Sequence, residues 1–205
     1  HGFHEPGLWF GSRGAGLFEK PSPPTADFRR AWDATGTVPL DVSRFALLSG
    51  EEITALADAP EGVWVGTSSG LHLYDRRQNL KSWTPEQGGL RAVPVRALAV
   101  GQGTVWVGTD RGISVLERSS GRWTTLTSAN SPLPSDEIAC LAWDGERLWG
   151  GTKSGAFYHV PGGEWKTVLE ERVNDLALGS VRVYFATDRG VFARDRDGLP
   201  RRHLH

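Results

Sequence analysis

The sequence predicts an all-β fold, a β-propeller built from four-stranded antiparallel blades. Three observations lead to this prediction. A short motif returns five times, Gly and Trp are abundant at 26 and 9 of the 205 residues, and long helical patterns are scarce. A repeat of about 40 residues that holds four short strands has the length of one propeller blade.

The motif reads apolar, aromatic, any residue, small, Thr or Ser, two polar residues, Gly, apolar. Its copies are Val63–Leu71, Val105–Ile113, Leu148–Ala156, the weaker Val183–Val191 and, with one extra residue, Leu8–Phe18. The aromatic anchors at 9, 64, 106, 149 and 184 are 55, 42, 43 and 35 residues apart. Each copy predicts a hairpin, because the residues alternate at the strand period and glycine can take the positive φ of a tight turn.

Two further strands complete each predicted blade. An apolar inner strand precedes the hairpin, as in Ile53–Ala57, Val95–Ala99, Ile138–Ala142 and Val173–Ala177. A more polar outer strand follows it and carries its own tryptophan, at Trp83, Trp123 and Trp165. We therefore expect one domain over residues 1–205, with blades at 8–32, 53–84, 95–127, 138–169 and 173–205 and an irregular insertion at 33–50.

The aromatic residues of the motif are interpreted as core between blades, because each ring buries roughly 150–250 Å². They include Trp64, Trp106 and Trp149. The glycine two positions later, such as Gly66, leaves space for a close neighbour, for which a tryptophan of the adjoining strand is the candidate. Cys140 lies in an apolar strand and is expected to be buried.

Five motif copies predict five blades, a small number for a closed ring. Fewer than eight residues precede the first copy, so its inner strand has no place in the sequence before it. Three interpretations remain open: Val42–Leu48 folds back as that strand, the ring closes incompletely, or the chain is part of a larger propeller. We favour five blades.

Composition excludes several classes of protein. The formal net charge of -1 lacks the basic excess of a nucleic-acid binder, so we expect no nucleic-acid partner. No apolar run approaches the roughly 18 residues of a membrane helix, so we expect no membrane span. The single cysteine excludes an internal disulfide. Since the chain has no methionine, even at position 1, we expect a processed or trimmed product.

The motif also resembles a known family. Ile53–Leu56 followed by Gly62–Leu71 is similar to the two-component regulator propeller repeat, and so are Val95–Ile113 and, less closely, Asp136–Ala156. That resemblance implies a bacterial propeller with a binding role, in a periplasmic or secreted location. It does not imply signalling, because the sensor relatives carry many more blades, a sandwich domain, a membrane helix and a kinase. Tyr184 and Ala186 depart from the repeat in the last copy.

Propellers carry function on loops at the faces of the disc. The turns within the motif hairpins recur around the predicted ring and should form one polar circle on one face. The candidate binding residues there are Arg13, Ser69, Arg111, Lys153 and Arg189. Such a circle suits a protein partner or a polar or anionic ligand; the alternative is a solvated face of turn residues.

No catalytic motif stands out, so we expect a non-catalytic binding or assembly module without a cofactor, either a subunit of a larger complex or a ligand-binding domain. The alternative is an enzyme or a copper site built from the terminal histidines, His1, His4, His203 and His205. Imidazole suits copper, and closure of a propeller brings the two termini together.

Overall fold

A computed structural model describes residues 8–12, 16–20, 48, 50–77, 79–101 and 103–196. The described residues form seventeen β-strands, one 3-10 turn at Pro85–Gln87 and no α-helix. The chain groups into two compact units, residues 1–53 and 54–205. Whether both belong to one domain, as the sequence predicts, stays a prediction.

The described part of the first unit is a hairpin of β1 (Leu8–Ser12) and β2 (Gly16–Lys20). The strands pair antiparallel from Leu8 with Lys20 to Ser12 with Gly16, which is the hairpin that the first motif copy predicts. Residues 21–32 of the blade predicted at 8–32 lie outside the described residues, and so does Val42–Leu48, the segment that could fold back as its inner strand, apart from Leu48.

The second unit consists of consecutive antiparallel sheets, with the first strand beginning at its boundary. Sheet 2 contains β3 (Ile53–Ala59), β4 (Gly62–Thr67), β5 (Leu71–Asp75) and β6 (Leu80–Trp83); sheet 3 contains β7 (Ala97–Gly101), β8 (Thr104–Thr109), β9 (Gly112–Glu117) and β10 (Trp123–Leu126); sheet 4 contains β11 (Ile138–Trp143), β12 (Leu148–Thr152), β13 (Gly155–His159) and β14 (Trp165–Leu169); sheet 5 contains β15 (Val173–Leu178), β16 (Arg182–Thr187) and β17 (Gly190–Asp195). Within each sheet, each strand pairs with the next strand in sequence. This arrangement confirms the predicted propeller class, whereas blade number and ring closure stay predictions.

Within the second unit, the motif tryptophan of one sheet packs against the next sheet along the chain. Trp64 shares a core with Val105 and Val107 of sheet 3. Trp106 stacks on Trp143 of sheet 4, with ring centroids 4.9 Å apart. Trp64, Trp106 and Trp149 are 1 to 3% exposed, so the predicted core role of these three residues is confirmed.

The side chain that lies close to the motif glycine is not the expected tryptophan. A Cβ added at Gly151 would lie 2.4 Å from Cγ1 of Val173, the first residue of the inner strand in the next sheet. Val95 crowds Gly66 in the same way. The expectation that a tryptophan fills this space is therefore wrong, because a β-branched side chain from the next sheet occupies it.

The motif threonine fixes the turn between the second and third strands. The backbone N–H of Arg111 donates to Oγ1 of Thr109 at 3.0 Å, and this hydroxyl donates to the carbonyl of Gly112 at 3.1 Å. Gly112 has the expected positive φ of 102°. Gly155 has no positive φ. A glycine is needed there because a Cβ would lie 2.5 Å from the carbonyl oxygen of Leu169 on the fourth strand.

Candidate functional site

The sheet topology places two kinds of residue at the same end of each sheet. In an antiparallel meander, the start of the first strand lies beside the turn between the second and third strands. The register shows this, since Ile138 pairs with Thr152 and Val173 pairs with Thr187. We call this the strand-start end of the second unit.

A cavity of about 400 Å³ lies at the strand-start end, between sheets 3, 4 and 5. We call it the polar cavity. Its lining residues are Arg96, Asp110, Glu137, Ile138, Ala139, Lys153, Arg172, Val173 and Asn174. Three cationic and two anionic side chains therefore meet around a small apolar floor.

Several polar groups at this end are already paired. Nζ of Lys153 donates to Oε1 of Glu137 at 2.8 Å. Beside the polar cavity, Nη1 of Arg189 donates to Oε1 of Glu171, also at 2.8 Å. Both bonds connect a motif turn to the start of the first strand in the same sheet. These exposed pairs orient the turns and contribute little to stability.

Three charged side chains of the polar cavity lack such a partner. Arg96, Asp110 and Arg172 are exposed, and no ion pair or side-chain hydrogen bond joins them to any part of the chain that the structure describes. Two guanidinium groups and one carboxylate therefore face solvent in one cavity. This arrangement leaves a net positive charge available to a ligand.

The predicted binding residues have different surroundings. Lys153 lines the polar cavity, and Arg189 is paired beside it. The hydroxyl of Ser69 bonds to that of Thr67 at 3.2 Å within its own turn. Arg111 is exposed next to the cavity residue Asp110, and Arg13 lies outside the described residues. Their role in binding stays a prediction.

Sequence reasoning missed Arg96 and Arg172. Arg96 precedes β7 and Arg172 precedes β15, at positions where the other repeats carry other residue types. No recurring pattern therefore marked them. The predicted strand topology could have identified them, because residues that start inner strands must lie at the same end as the motif turns.

At the opposite end of the sheets, an acidic residue connects neighbouring sheets. Oε1 of Glu61 accepts from Nε1 of Trp64 at 3.0 Å and from Nη1 of Arg118, which directly follows β9 of sheet 3, at 2.5 Å. Oδ2 of Asp144 likewise accepts from Nε1 of Trp149 at 2.7 Å and forms an ion pair with Arg196, after the last strand of sheet 5. We call these two sets the acid–Trp–Arg clusters.

Both clusters hold a carboxylate in its charged form. Burial raises the pKa of Glu61, but the hydrogen bonds from Arg118 and Trp64 outweigh it and leave the pKa below its ordinary value of 4.5. Burial likewise raises the pKa of Asp144, and the hydrogen bond from Trp149 with two backbone N–H donors leaves it below 3.8. Because each carboxylate accepts the indole N–H of its tryptophan and pairs with an arginine, we interpret the clusters as structural.

Asp144 also borders a second cavity, of about 320 Å³, with Glu146, Arg147, Ser180, Val181 and Arg196. The arginines there are engaged. Nη2 of Arg196 donates to the carbonyl of Asp144 at 2.8 Å, and Arg147 donates to the carbonyl of Arg196. This second cavity therefore offers fewer free groups than the polar cavity.

Among the described residues, neither a metal-binding group nor an exposed thiol is found. Over 50–77, 79–101 and 103–196, no group of three or more His, Cys, Asp or Glu side chains is placed to hold a metal ion. Cys140 is buried as predicted, and burial with the nearby charge of Asp175 raises the pKa of its thiol to about 12. The candidate copper ligands lie outside the described residues: His1, His4, His203 and His205.

One histidine does sit in a hydroxyl cluster. Nδ1 of His72 is 2.8 Å from Oγ of Ser82, and Nε2 is 3.3 Å from Oγ1 of Thr67. His72 is only 5% exposed, and its bonds join β4, β5 and β6 of sheet 2, so we interpret this cluster as a structural network. In the described part of the chain, no helix has the length and apolar character needed to cross a membrane.

Solved structures share this fold. The chain is 18% identical to the extracellular domain of a proposed hybrid two-component system from B. thetaiotaomicron, with a TM-score of 0.67 over 93% of this chain and 25% of that one. A second such domain from the same organism is 15% identical, with a TM-score of 0.67 over 94% of this chain and 26% of that one. BamB from Moraxella catarrhalis is 11% identical, with a TM-score of 0.54 over 76% of this chain and 47% of that one.

The chain thus spans about a quarter of the length of these extracellular domains. At such identities the likeness shows the fold alone. No protein-family model matches the chain, and no curated protein matches it by sequence.

Proposed function

We propose that this chain is a non-catalytic, extracytoplasmic binding module of the regulator-propeller type. It binds a protein partner or a polar or anionic ligand at the strand-start end of its second unit. The observation that carries the proposal is the polar cavity, where sheets 3, 4 and 5 contribute charged side chains to one concave surface.

The contrast between buried and exposed positions of the repeat supports this proposal. In sheets 2, 3 and 4 the apolar positions of the motif are buried, and the motif threonine is used within its turn. The turn residues that follow are exposed: Ser69, Arg111, Lys153 and Arg189. Exposed loop residues on a rigid scaffold are the usual carriers of binding.

A periplasmic or secreted location is part of the proposal. It is supported by the sequence resemblance to the regulator repeat and by the fold likeness to domains described as extracellular. We propose no resident cofactor, because polar side chains of this kind bind ligands through charge and hydrogen bonds alone.

The test is recovery of a bound partner or ligand from the native source, with matched variants. One triple variant removes charge at the motif turns (Arg111→Gln, Lys153→Gln, Arg189→Gln). The control removes the same charge near the fourth strands (Lys81→Gln, Arg122→Gln, Lys166→Gln), where all three residues are exposed. After mild purification, native mass spectrometry should find a bound species with wild type and control, and lose it with the turn variant.

Circular dichroism must show that both triple variants remain folded. Equal recovery from the turn variant and the control would contradict the proposed surface. A monomer that retains stoichiometric copper and turns over a substrate would overturn the non-catalytic proposal in favour of the terminal-histidine alternative.

A further inference from the structure

We propose that the polar cavity is a binding site for a small oxyanion, held between the guanidinium groups of Arg96 and Arg172. This inference deepens the proposed function and rests on it. The ligand class is a carboxylate, phosphate or sulfate group on a small molecule, which a planar guanidinium recognises through paired N–H donors.

The contrast among arginines of the second unit carries the argument. In the acid–Trp–Arg clusters, Arg118 forms an ion pair with Glu61 and Arg196 with Asp144, and beside the cavity Arg189 forms one with Glu171. Arg96 and Arg172 line one cavity, and no carboxylate of the described residues forms an ion pair with either of them. A guanidinium without an ion-pair partner in a concave site has N–H donors that an external oxyanion can accept from.

The backbones that carry these arginines are fixed. The N–H of Arg96 donates to the carbonyl of Gly108 at 2.8 Å. Its neighbour Val95 is fully buried, and Val173, which follows Arg172, is 1% exposed. Because each arginine extends from an anchored strand start, little backbone ordering is needed on binding, and preorganisation of this kind favours affinity.

The remaining charges set the ligand's properties. Lys153 neutralises Glu137 at 2.8 Å, so Asp110 is the one carboxylate of the cavity without an ion pair in the described residues. Asp110 repels a bare oxyanion and favours a ligand that also offers a hydroxyl or ammonium donor. The cavity volume of about 400 Å³ suits a small molecule and falls at the lower end of the usual range of roughly 300–1,000 Å³.

Isothermal titration calorimetry on the full chain at pH 7 and low ionic strength tests the site. The probes are inorganic phosphate, inorganic sulfate and succinate, which separate the three sources of oxyanion. Wild type should bind at least one of them saturably with one site per chain, and added sodium chloride should weaken the binding because screening lowers charge attraction.

The variants assign the site to its residues. Arg96→Gln and Arg172→Gln should each weaken binding about tenfold or more, since each removes charge-assisted hydrogen bonds. Asp110→Asn should tighten it several-fold. Arg122→Gln is the control, because Arg122 is exposed, lies outside the cavity lining and pairs only on the surface with Glu117 at 3.2 Å.

The inference is overturned if none of the three probes binds saturably, or if Arg96→Gln and Arg172→Gln bind as wild type does. Both arginines are exposed, so their thermal unfolding should match wild type, which separates lost binding from lost fold. If the titrations fail, the native recovery experiment with the turn variant still tests the proposed function. A protein-binding module without an oxyanion site would fail the titrations and pass that experiment.

Discussion

Sheets 4 and 5 carry the same repeat but bury it differently. Trp149 pairs with Ala142 in sheet 4, and Tyr184 pairs with Ala177 at the equivalent register in sheet 5. Trp149 is 1% exposed, whereas Tyr184 is 42% exposed. The difference arises because sheet 5 covers the Trp149 face, while no described sheet of the second unit follows sheet 5 to cover the Tyr184 face. A repeat motif therefore creates a face that can be buried, and the following sheet buries it.

The departures from the motif in sheet 5 fit this view. Gly151 must lack a side chain, because Val173 of the next sheet occupies the space. Ala186 stands at the equivalent position of sheet 5, paired with Val191 as Gly151 is paired with Ala156. Sheet 5 is the last described sheet of the second unit, so no described inner strand follows it to supply a counterpart of Val173, and a methyl group is accommodated.

Removing an aromatic ring should give the largest difference between these two sheets. Trp149→Ala should lower the free energy of unfolding by roughly 3–5 kcal/mol, because a buried ring leaves a cavity. Tyr184→Ala should lower it by about 1 kcal/mol or less, as for exposed positions. Urea denaturation followed by circular dichroism measures both. Similar losses at the two sites would show that the face of sheet 5 is covered in solution.

Adding a methyl group should give the next largest effect. Gly151→Ala places a Cβ 2.4 Å from Cγ1 of Val173 and 2.6 Å from Sγ of Cys140, and should destabilise the fold by about 1–3 kcal/mol through overpacking. The reciprocal control, Ala186→Gly, should cost only about 0.5–1 kcal/mol of backbone entropy. A neutral Gly151→Ala would contradict the close packing of sheets 4 and 5.

Acid should weaken the contacts between sheets through the two acid–Trp–Arg clusters. The pKa of Glu61 is lowered in the folded chain, so its contribution is full above its ordinary pKa of 4.5 and is lost as pH falls through the folded pKa. The pKa of Asp144 is likewise lowered from its ordinary value of 3.8, so its contribution is full above pH 3.8 and is lost as the pH falls through the folded pKa. The variant Glu61→Gln with Asp144→Asn should therefore lose less stability than wild type between neutral pH and acid.

Thermal unfolding of both proteins from pH 7 down to pH 3 measures this difference. Parallel losses in the two proteins would show that other carboxylates govern acid stability and that these clusters do not connect the sheets as described.

The smallest effect is expected at the apolar residue after the motif turn. Val191 of sheet 5 is 72% exposed, so Val191→Thr should change the free energy of unfolding by less than about 0.5 kcal/mol. Ile113, at the equivalent position of sheet 3, is fully buried. Ile113→Thr should destabilise by about 1–3 kcal/mol, because it buries a hydroxyl and removes methyl groups. Equal effects in urea denaturation would remove the distinction between the sheets.

Much of the fold followed from the sequence because its signals are local. The alternation around Trp64, the polar turn pair and the glycine before Leu71 predicted the hairpin of β4 and β5. Outer strands that carry Trp83 and Trp123 were also found as predicted. The candidate site was harder, because Arg96 and Arg172 are far apart in sequence and belong to no repeating pattern.

The sequence by itself determined the strands, their order and the side chains that form the sheet faces, because the strand period and turn chemistry act over a few residues. Tertiary structure alone decided which of those faces is buried, since that depends on the neighbouring sheet. It also decided that Val173 and not a ring fills the space at Gly151. The meeting of Arg96 and Arg172 at one cavity has the same origin, because only the stacking of sheets 3, 4 and 5 brings those strand starts together.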